Sequence, residues 1–151
     1  MEEIEEAVER LFTGEAKAGC QALRALEAES EKSGAVYTYF DRFLDIMRDV
    51  NSYKRTRGLI LIAANAKWDQ SGRIEEILPE YITHITDEKP ITARQCIKAL
   101  PKIAKEKPAL REGMVKALHE ADLSKYKESM WHLVYEDIVN ALDEMERFTN
   151  T

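Results

Sequence analysis

The sequence predicts an all-α fold in which helix pairs repeat along the chain as a solenoid. Apolar residues recur at helical spacing in every long segment, and no segment alternates apolar and polar residues long enough to predict a strand. The apolar positions also recur 37 residues further on, since Ile60 and Ala63 fall on Ile97 and Leu100. Apolar columns at a fixed spacing are typical of a helical repeat array.

The chain begins with two predicted helices. The first covers residues 2–12, with glutamates in its first turns, where negative charge suits the helix dipole. Thr13-Gly14 ends it. The second covers about 15–33, and we expect Gly34 to act as its C-terminal cap.

The helices that follow are of two alternating types. The apolar face that includes Val36 and Phe40 recurs 38 residues later at Ile74 and Leu78. We name this type outer, and the type with the 37-residue repeat inner. Outer helices are predicted at about 35–49, 72–86 and 108–121, and inner helices at about 15–33, 52–67 and 90–106. The last helix, about 125–147, fits the pattern loosely, as a terminal cap should.

Four prolines mark particular places in these helices. Pro79 and Pro101 lie inside helical patterns, where we expect a kink or an end because each removes a hydrogen bond. Pro90 and Pro108 stand where a helix would begin, and a proline in the first turn is tolerated there.

The length and composition suit a single soluble domain. The 151 residues are 44% hydrophobic and 33% charged, with few glycines and prolines. We expect one domain over 1–151, made of an N-terminal cap helix at 1–14, repeats at 15–121 and a C-terminal cap at 122–151.

The cysteines and the N-terminus indicate a cytoplasmic location. Cys20 and Cys96 lie in apolar helical stretches, so we expect reduced thiols packed like small hydrophobic residues. The N-terminus is acidic and lacks the basic and apolar regions of a signal peptide. No apolar run approaches the ~20 residues that a membrane span needs.

Several features together resemble the HEAT-like branch of the HEAT/armadillo repeats. They are the helix pair of about 37 residues, a proline in the outer helix, an acidic residue in the loop and an arginine early in the inner helix. The residues concerned are Pro79, Asp49, Asp87, Arg57 and Arg94. The resemblance covers about 15–121, although Cys20 stands where the first repeat should have its arginine.

This resemblance implies a right-handed α-α superhelix of about 3.5 helix pairs with seven to eight helices. Its inner helices would line a concave surface, which such arrays use for binding. The chain also resembles small uncharacterised bacterial HEAT-like proteins, some labelled as Suf-type iron–sulfur assembly proteins. The residues give that label no support, because two separated cysteines fall short of the four thiolates that a cluster usually needs.

Basic side chains recur on one predicted face of the inner helices, although the formal net charge is −6. That face carries Lys17, Gln21, Arg24, Lys54, Arg57, Asn65, Arg94, Gln95, Lys98 and Lys102, with no acidic residue. We expect the chain to be a non-catalytic binding module or scaffold for a protein or acidic peptide. The predicted contacts are Lys54, Arg57, Arg94, Lys98 and Lys102.

A structural interpretation of the same residues stays open. Arg57 and Arg94 could be struts between repeats, each paired with Asp49 or Asp87. The lysines could then form an ordinary solvated helix face. Trp68 and Trp131, which could serve as exposed stacking platforms, are expected to pack between helices instead.

The sequence does not predict an enzyme, a cofactor or a metal site. His84, His119 and His132 have no partner at a metal-ligand spacing, and no nucleophile turn or phosphate-binding glycine loop occurs. Nucleic-acid binding is the alternative, by analogy with HEAT-like DNA alkylation-repair glycosylases, but the excess of acidic residues disfavours it. The oligomeric state stays open, and the aromatic segment 37–43 is a candidate dimer contact.

Overall fold

The computed structural model describes residues 2–149 and, within that range, the side chains of residues 3–148. In this part of the chain the fold is all-α, with eight α-helices, four short 3-10 helices and no strand. The α-helices are α1 Glu2–Arg10, α2 Ala16–Lys32, α3 Phe40–Met47, α4 Ser52–Ala64, α5 Arg73–Tyr81, α6 Pro90–Glu106, α7 Arg111–Glu120 and α8 Glu128–Thr149. The all-α prediction is confirmed, and the superhelical arrangement stays a prediction.

The chain forms two compact units. The first ends at Ser71 and the second begins at Gly72. Each outer helix combines α-helix with a 3-10 segment. These segments are Val36–Tyr39 before α3, Ile82–Thr86 after α5 and Pro108–Leu110 before α7. A fourth 3-10 segment, Ala66–Trp68, follows α4.

Three of the four prolines act as the sequence indicates. Helix α5 ends at Tyr81, two residues after Pro79, and the chain tightens into 3-10 turns. Pro90 is the first residue of α6 and Pro108 is the first residue of a 3-10 segment. Pro101 lies inside α6, which continues to Glu106, so the helix does not end there and a kink stays a prediction.

The predicted glycine cap at the end of α2 is wrong. Ser33 ends this helix by adopting an extended conformation, with φ −153° and ψ 165°. The Ser33 hydroxyl then accepts a hydrogen bond from the Ala35 N–H at 3.3 Å. Among the described residues, only Gly72 has a positive φ, at 79°, and it immediately precedes α5.

A close approach of α3 and α4 builds the core of the first unit. A Cβ atom at Gly58 would lie 2.6 Å from the Met47 nitrogen and 2.8 Å from the Phe43 oxygen, so no larger residue fits without movement. Phe40 and Phe43 are completely buried, and the Tyr37 hydroxyl donates to Asp69 at 2.5 Å. The phenylalanines of the aromatic segment 37–43 therefore belong to the core, and a dimer contact there would rest on its tyrosines.

The core of the second unit lies between α6 and α8. Cys96, Ile97 and Leu100 of α6 are buried, as are Val134 and Met145 of α8, and the two helices pack along each other. The 3-10 segment Ile82–Thr86 also packs on α6. This pairing places the C-terminal helix beside the inner helix that carries three of the predicted binding residues.

Candidate binding surface

Arg57 lies inside the first unit, with 5% of its surface exposed. Its Nη1 donates to the backbone oxygens of Leu11 at 2.8 Å and Thr13 at 3.0 Å, just beyond the end of α1. A cation at this end suits the dipole of α1. Arg57 is therefore a structural strut, but its partners are backbone carbonyls instead of Asp49, whose carboxylate accepts from the Asn51 N–H at 2.8 Å.

Gly19 makes room for this arginine. A Cβ atom at Gly19 would lie 2.1 Å from Cζ of Arg57, a distance at which two carbon atoms overlap. Burial lowers the pKa of Arg57, but an arginine stays charged at any physiological pH. The guanidinium consequently remains a strong donor at the end of α1.

Most of the predicted binding face of α4 is buried. Arg57, Gly58, Leu61 and Asn65 are all buried in the first unit, and α2 packs against α4. The Asn65 side chain donates to the Leu61 oxygen at 2.9 Å and to the Ser30 hydroxyl at 3.2 Å. Six consecutive apolar residues at 59–64 surround the helix, so periodicity could not distinguish an outward side.

Lys54 occupies the first turn of α4 and is half-buried. Its N–H is capped by the side chain of Asn51 at 3.1 Å. The five predicted contacts are divided between the units, with Lys54 and Arg57 in the first and Arg94, Lys98 and Lys102 in the second. Only the last three share a helix, α6.

Arg94 is tied to the C-terminal helix. Its Nε donates to Oδ2 of Asp137 at 2.6 Å, and the Asp137 side chain is 8% exposed. This hydrogen bond raises the pKa of Arg94. The predicted partner, Asp87, instead contacts Nδ1 of His84 at 2.9 Å and accepts from the Lys89 N–H at 2.9 Å.

Lys98 and Lys102 are exposed on α6, as is Lys105 one turn further on. Lys98 lines a groove of about 170 Å³ together with Asp137 and Glu144 of α8. The basic face of α6 therefore has acidic neighbours. Sequence reasoning missed them because α8 was treated only as a terminal cap.

A second groove lies between α7 and α8, with a volume of about 450 Å³. Its lining includes Tyr135 and Val139, which are 55% and 45% exposed. The sequence analysis assigned a single apolar face to α8. The spacing of Tyr135, Val139 and Leu142 could have indicated a second one.

The tryptophans differ in their surroundings. Trp68 donates from Nε1 to the Ser30 oxygen at 2.7 Å, so it packs between helices as predicted. Trp131 is half-buried, and its ring stacks on the exposed His132 at 4.1 Å between centroids. It also meets the exposed Tyr135 edge-on, at 6.3 Å. Both ring contacts join Trp131 to residues of its own helix, and its packing between helices stays a prediction.

The two thiols also differ. Cys96 is completely buried, and its Sγ lies 3.6 Å from the Tyr81 oxygen to which it donates. Burial raises the pKa of this thiol. Cys20 is exposed, so the prediction of two buried thiols is right only for Cys96.

Residues 2–149 contain no group of three or more His, Cys, Asp or Glu that could hold a metal ion. No described helix combines the length and apolar character that crossing a membrane requires. Protein-family models, curated proteins and solved structures gave no match to this chain. The HEAT-like resemblance therefore stays a prediction.

Proposed function

We propose that this chain is a non-catalytic binding module for a protein or acidic peptide, which docks on α6. The observation that supports this proposal most is the row of exposed lysines, Lys98, Lys102 and Lys105. Their spacing of four and three residues aligns them on one side of the helix. An anionic ligand on that side would meet three positive charges, and hydrogen bonds between ionised groups are the strong ones.

The lysines are the ligand contacts in this proposal. Arg57 is buried and Arg94 is held by Asp137, so both act as structural residues in this proposal. Lys54 belongs to the other unit and remains a separate candidate.

Affinity capture from native cytosol tests the proposal. The wild-type chain is compared with the charge reversal Lys98→Glu, Lys102→Glu, after circular dichroism has confirmed that both are folded. A matched control, Lys116→Glu, Lys127→Glu, makes the same charge change at exposed positions outside α6.

We expect a captured partner to be lost with the α6 variant and kept with the control. Loss with both variants would indicate an effect of net charge alone, and retention with both would place the site elsewhere. A salt-dependent shift of duplex DNA by the wild-type chain would instead favour the nucleic-acid alternative.

A further inference from the structure

Helix α8 has two apolar stripes. One stripe is buried in the unit and includes Val134, Ala141 and Met145. The other faces outward and includes Tyr135 and Val139, each about half exposed. Single exposed apolar residues are ordinary, but a stripe at helical spacing on a charged helix indicates a contact surface.

The outward stripe forms one wall of the groove between α7 and α8. Leu118 and Leu123 come from the opposite side, and Leu142 continues the wall along α8. The lining on α8 runs from Tyr135 to Glu146, which at 1.5 Å per residue is about 16 Å. That length equals about three turns of a bound helix.

Two of the four polar residues that line this groove are acidic. Asp143 and Glu146 belong to the lining, and His119 is the third polar or charged side chain besides Tyr135. Helix α8 as a whole carries six carboxylates and a single arginine, Arg147, which pairs with Asp143. The groove therefore combines an apolar floor with a negative rim.

We propose that the α7–α8 groove binds a basic amphipathic helix of a partner protein. The ligand helix would place apolar residues at i, i+4 and i+7 against Tyr135, Val139 and Leu142, with flanking lysines or arginines near Glu146. This surface is separate from the lysine row of α6 and takes a partner of opposite charge.

A symmetric contact with a second copy is disfavoured by the same charges. In such a contact the same patch of each chain meets its equivalent, so two acidic rims would share one interface. Two acidic rims repel each other, whereas a basic helix is attracted to an acidic rim.

A peptide titration tests the proposal on the full chain. The probe is a fluorescein-labelled synthetic peptide of leucine and lysine, about 18 residues long, with leucines at i, i+3, i+4 and i+7. One control peptide has the same composition in scrambled order, and another replaces every lysine by glutamate. Anisotropy is measured at about 0.15 M salt, where exposed charges are partly screened.

Each groove variant has a matched control on the same helix. Tyr135→Ser, Val139→Ser removes the apolar stripe, and Leu133→Ser removes an exposed apolar residue outside the groove lining. Glu146→Lys reverses one charge at the rim of the groove. Glu144→Lys makes the same charge change at an exposed residue that lines the other groove, beside α6. All of these positions are exposed, so each variant is expected to fold.

We expect the leucine–lysine peptide to bind one to one, with affinity lowered at least about tenfold in the double serine variant and about fivefold in Glu146→Lys. Leu133→Ser and Glu144→Lys are expected to stay within about twofold, since they lie outside the groove. Neither control peptide should bind comparably.

Three results would overturn the inference. They are equal binding of the scrambled peptide, equal effects of Glu144→Lys and Glu146→Lys, or a wild-type dimer in sedimentation that the double serine variant dissociates. The Lys98→Glu, Lys102→Glu variant should bind the peptide within about twofold of the wild type, because its lysines lie outside the groove. The peptide titration therefore tests the groove independently of ligand binding to the lysines of α6.

Discussion

At the scale of single residues, Arg57 and Gly19 depend on each other. The guanidinium reaches the carbonyls after α1 only because position 19 has no side chain. Neither residue reveals this dependence in the sequence. Arg57 alone is equally compatible with a ligand-binding residue. Their pairing becomes visible only when α2 and α4 are placed side by side.

Substitution of Gly19 tests this dependence. Gly19→Ala is expected to displace Arg57 and remove its two hydrogen bonds, which would lower the free energy of unfolding by about 2–3 kcal/mol. Gly113→Ala is the control, because a Cβ atom there meets nothing within 4 Å. It should raise stability by about 0.5 kcal/mol through helix propensity. Urea unfolding followed by circular dichroism measures both, and equal effects would contradict the proposed role of Gly19.

The thiols provide a second prediction at this scale. Cys20 should react with a chromogenic disulfide reagent in the native chain, and Cys96 only after unfolding, because the latter is buried and its pKa is raised. Absorbance after mixing counts the fast thiols. We expect one in the wild type and none in Cys20→Ser, and two fast thiols would show that Cys96 is accessible.

At the scale of helices, the sequence predicts the orientation of a helix that has a single apolar face. It does not predict the orientation of a helix that is apolar on every side. The number and approximate position of the helices follow from periodicity. The orientation of α4 does not, because residues 59–64 are apolar on every side. For the same reason, the sequence could not show that Arg57 is buried. The partner of Arg94 lies 43 residues away on α8, so no local pattern could identify it.

The Arg94–Asp137 pair gives a prediction at this scale. Arg94→Ala leaves the buried Asp137 carboxylate without its partner, so we expect a loss of about 2–3 kcal/mol. This is less than for a fully buried pair, since the Arg94 side chain is 26% exposed. Lys98→Ala, one turn away and exposed, should change stability by less than about 0.5 kcal/mol. Chemical unfolding of both variants measures these changes. Similar small effects in the two variants would show that the Arg94–Asp137 pair contributes little to stability.

At the scale of the whole molecule, buried groups that ionise in alkali link stability to pH. Burial raises the pKa of Tyr126 from 10.0 to about 12 and also raises the pKa values of Tyr81 and Cys96. The unfolded chain loses these protons first as the pH rises. The contribution of these groups to stability is therefore fully present below the ordinary cysteine pKa of about 9. It decreases as the pH approaches 12.

Urea midpoints between about pH 8 and 11.5 should accordingly decrease, with most of the change above the ordinary tyrosine pKa of about 10. Tyr126→Phe should reduce this slope, although it also costs about 1 kcal/mol at neutral pH by removing the hydrogen bond to the Asp87 oxygen. An unchanged slope in this variant would show that Tyr126 does not contribute to the alkaline loss.

The arginine strut of the first unit also bears on the order in which that unit forms. Its hydrogen bonds join residues 44 and 46 positions apart, whereas α3 and α4 are joined by a short loop and pair locally. Contacts between distant residues require a larger loss of chain entropy, so they are expected after the local hairpin in folding. The strut would then be absent from the transition state, and its main kinetic effect would be to slow the opening of the folded unit. Gly19 and Arg57 would thus set the native lifetime more than the rate of its formation.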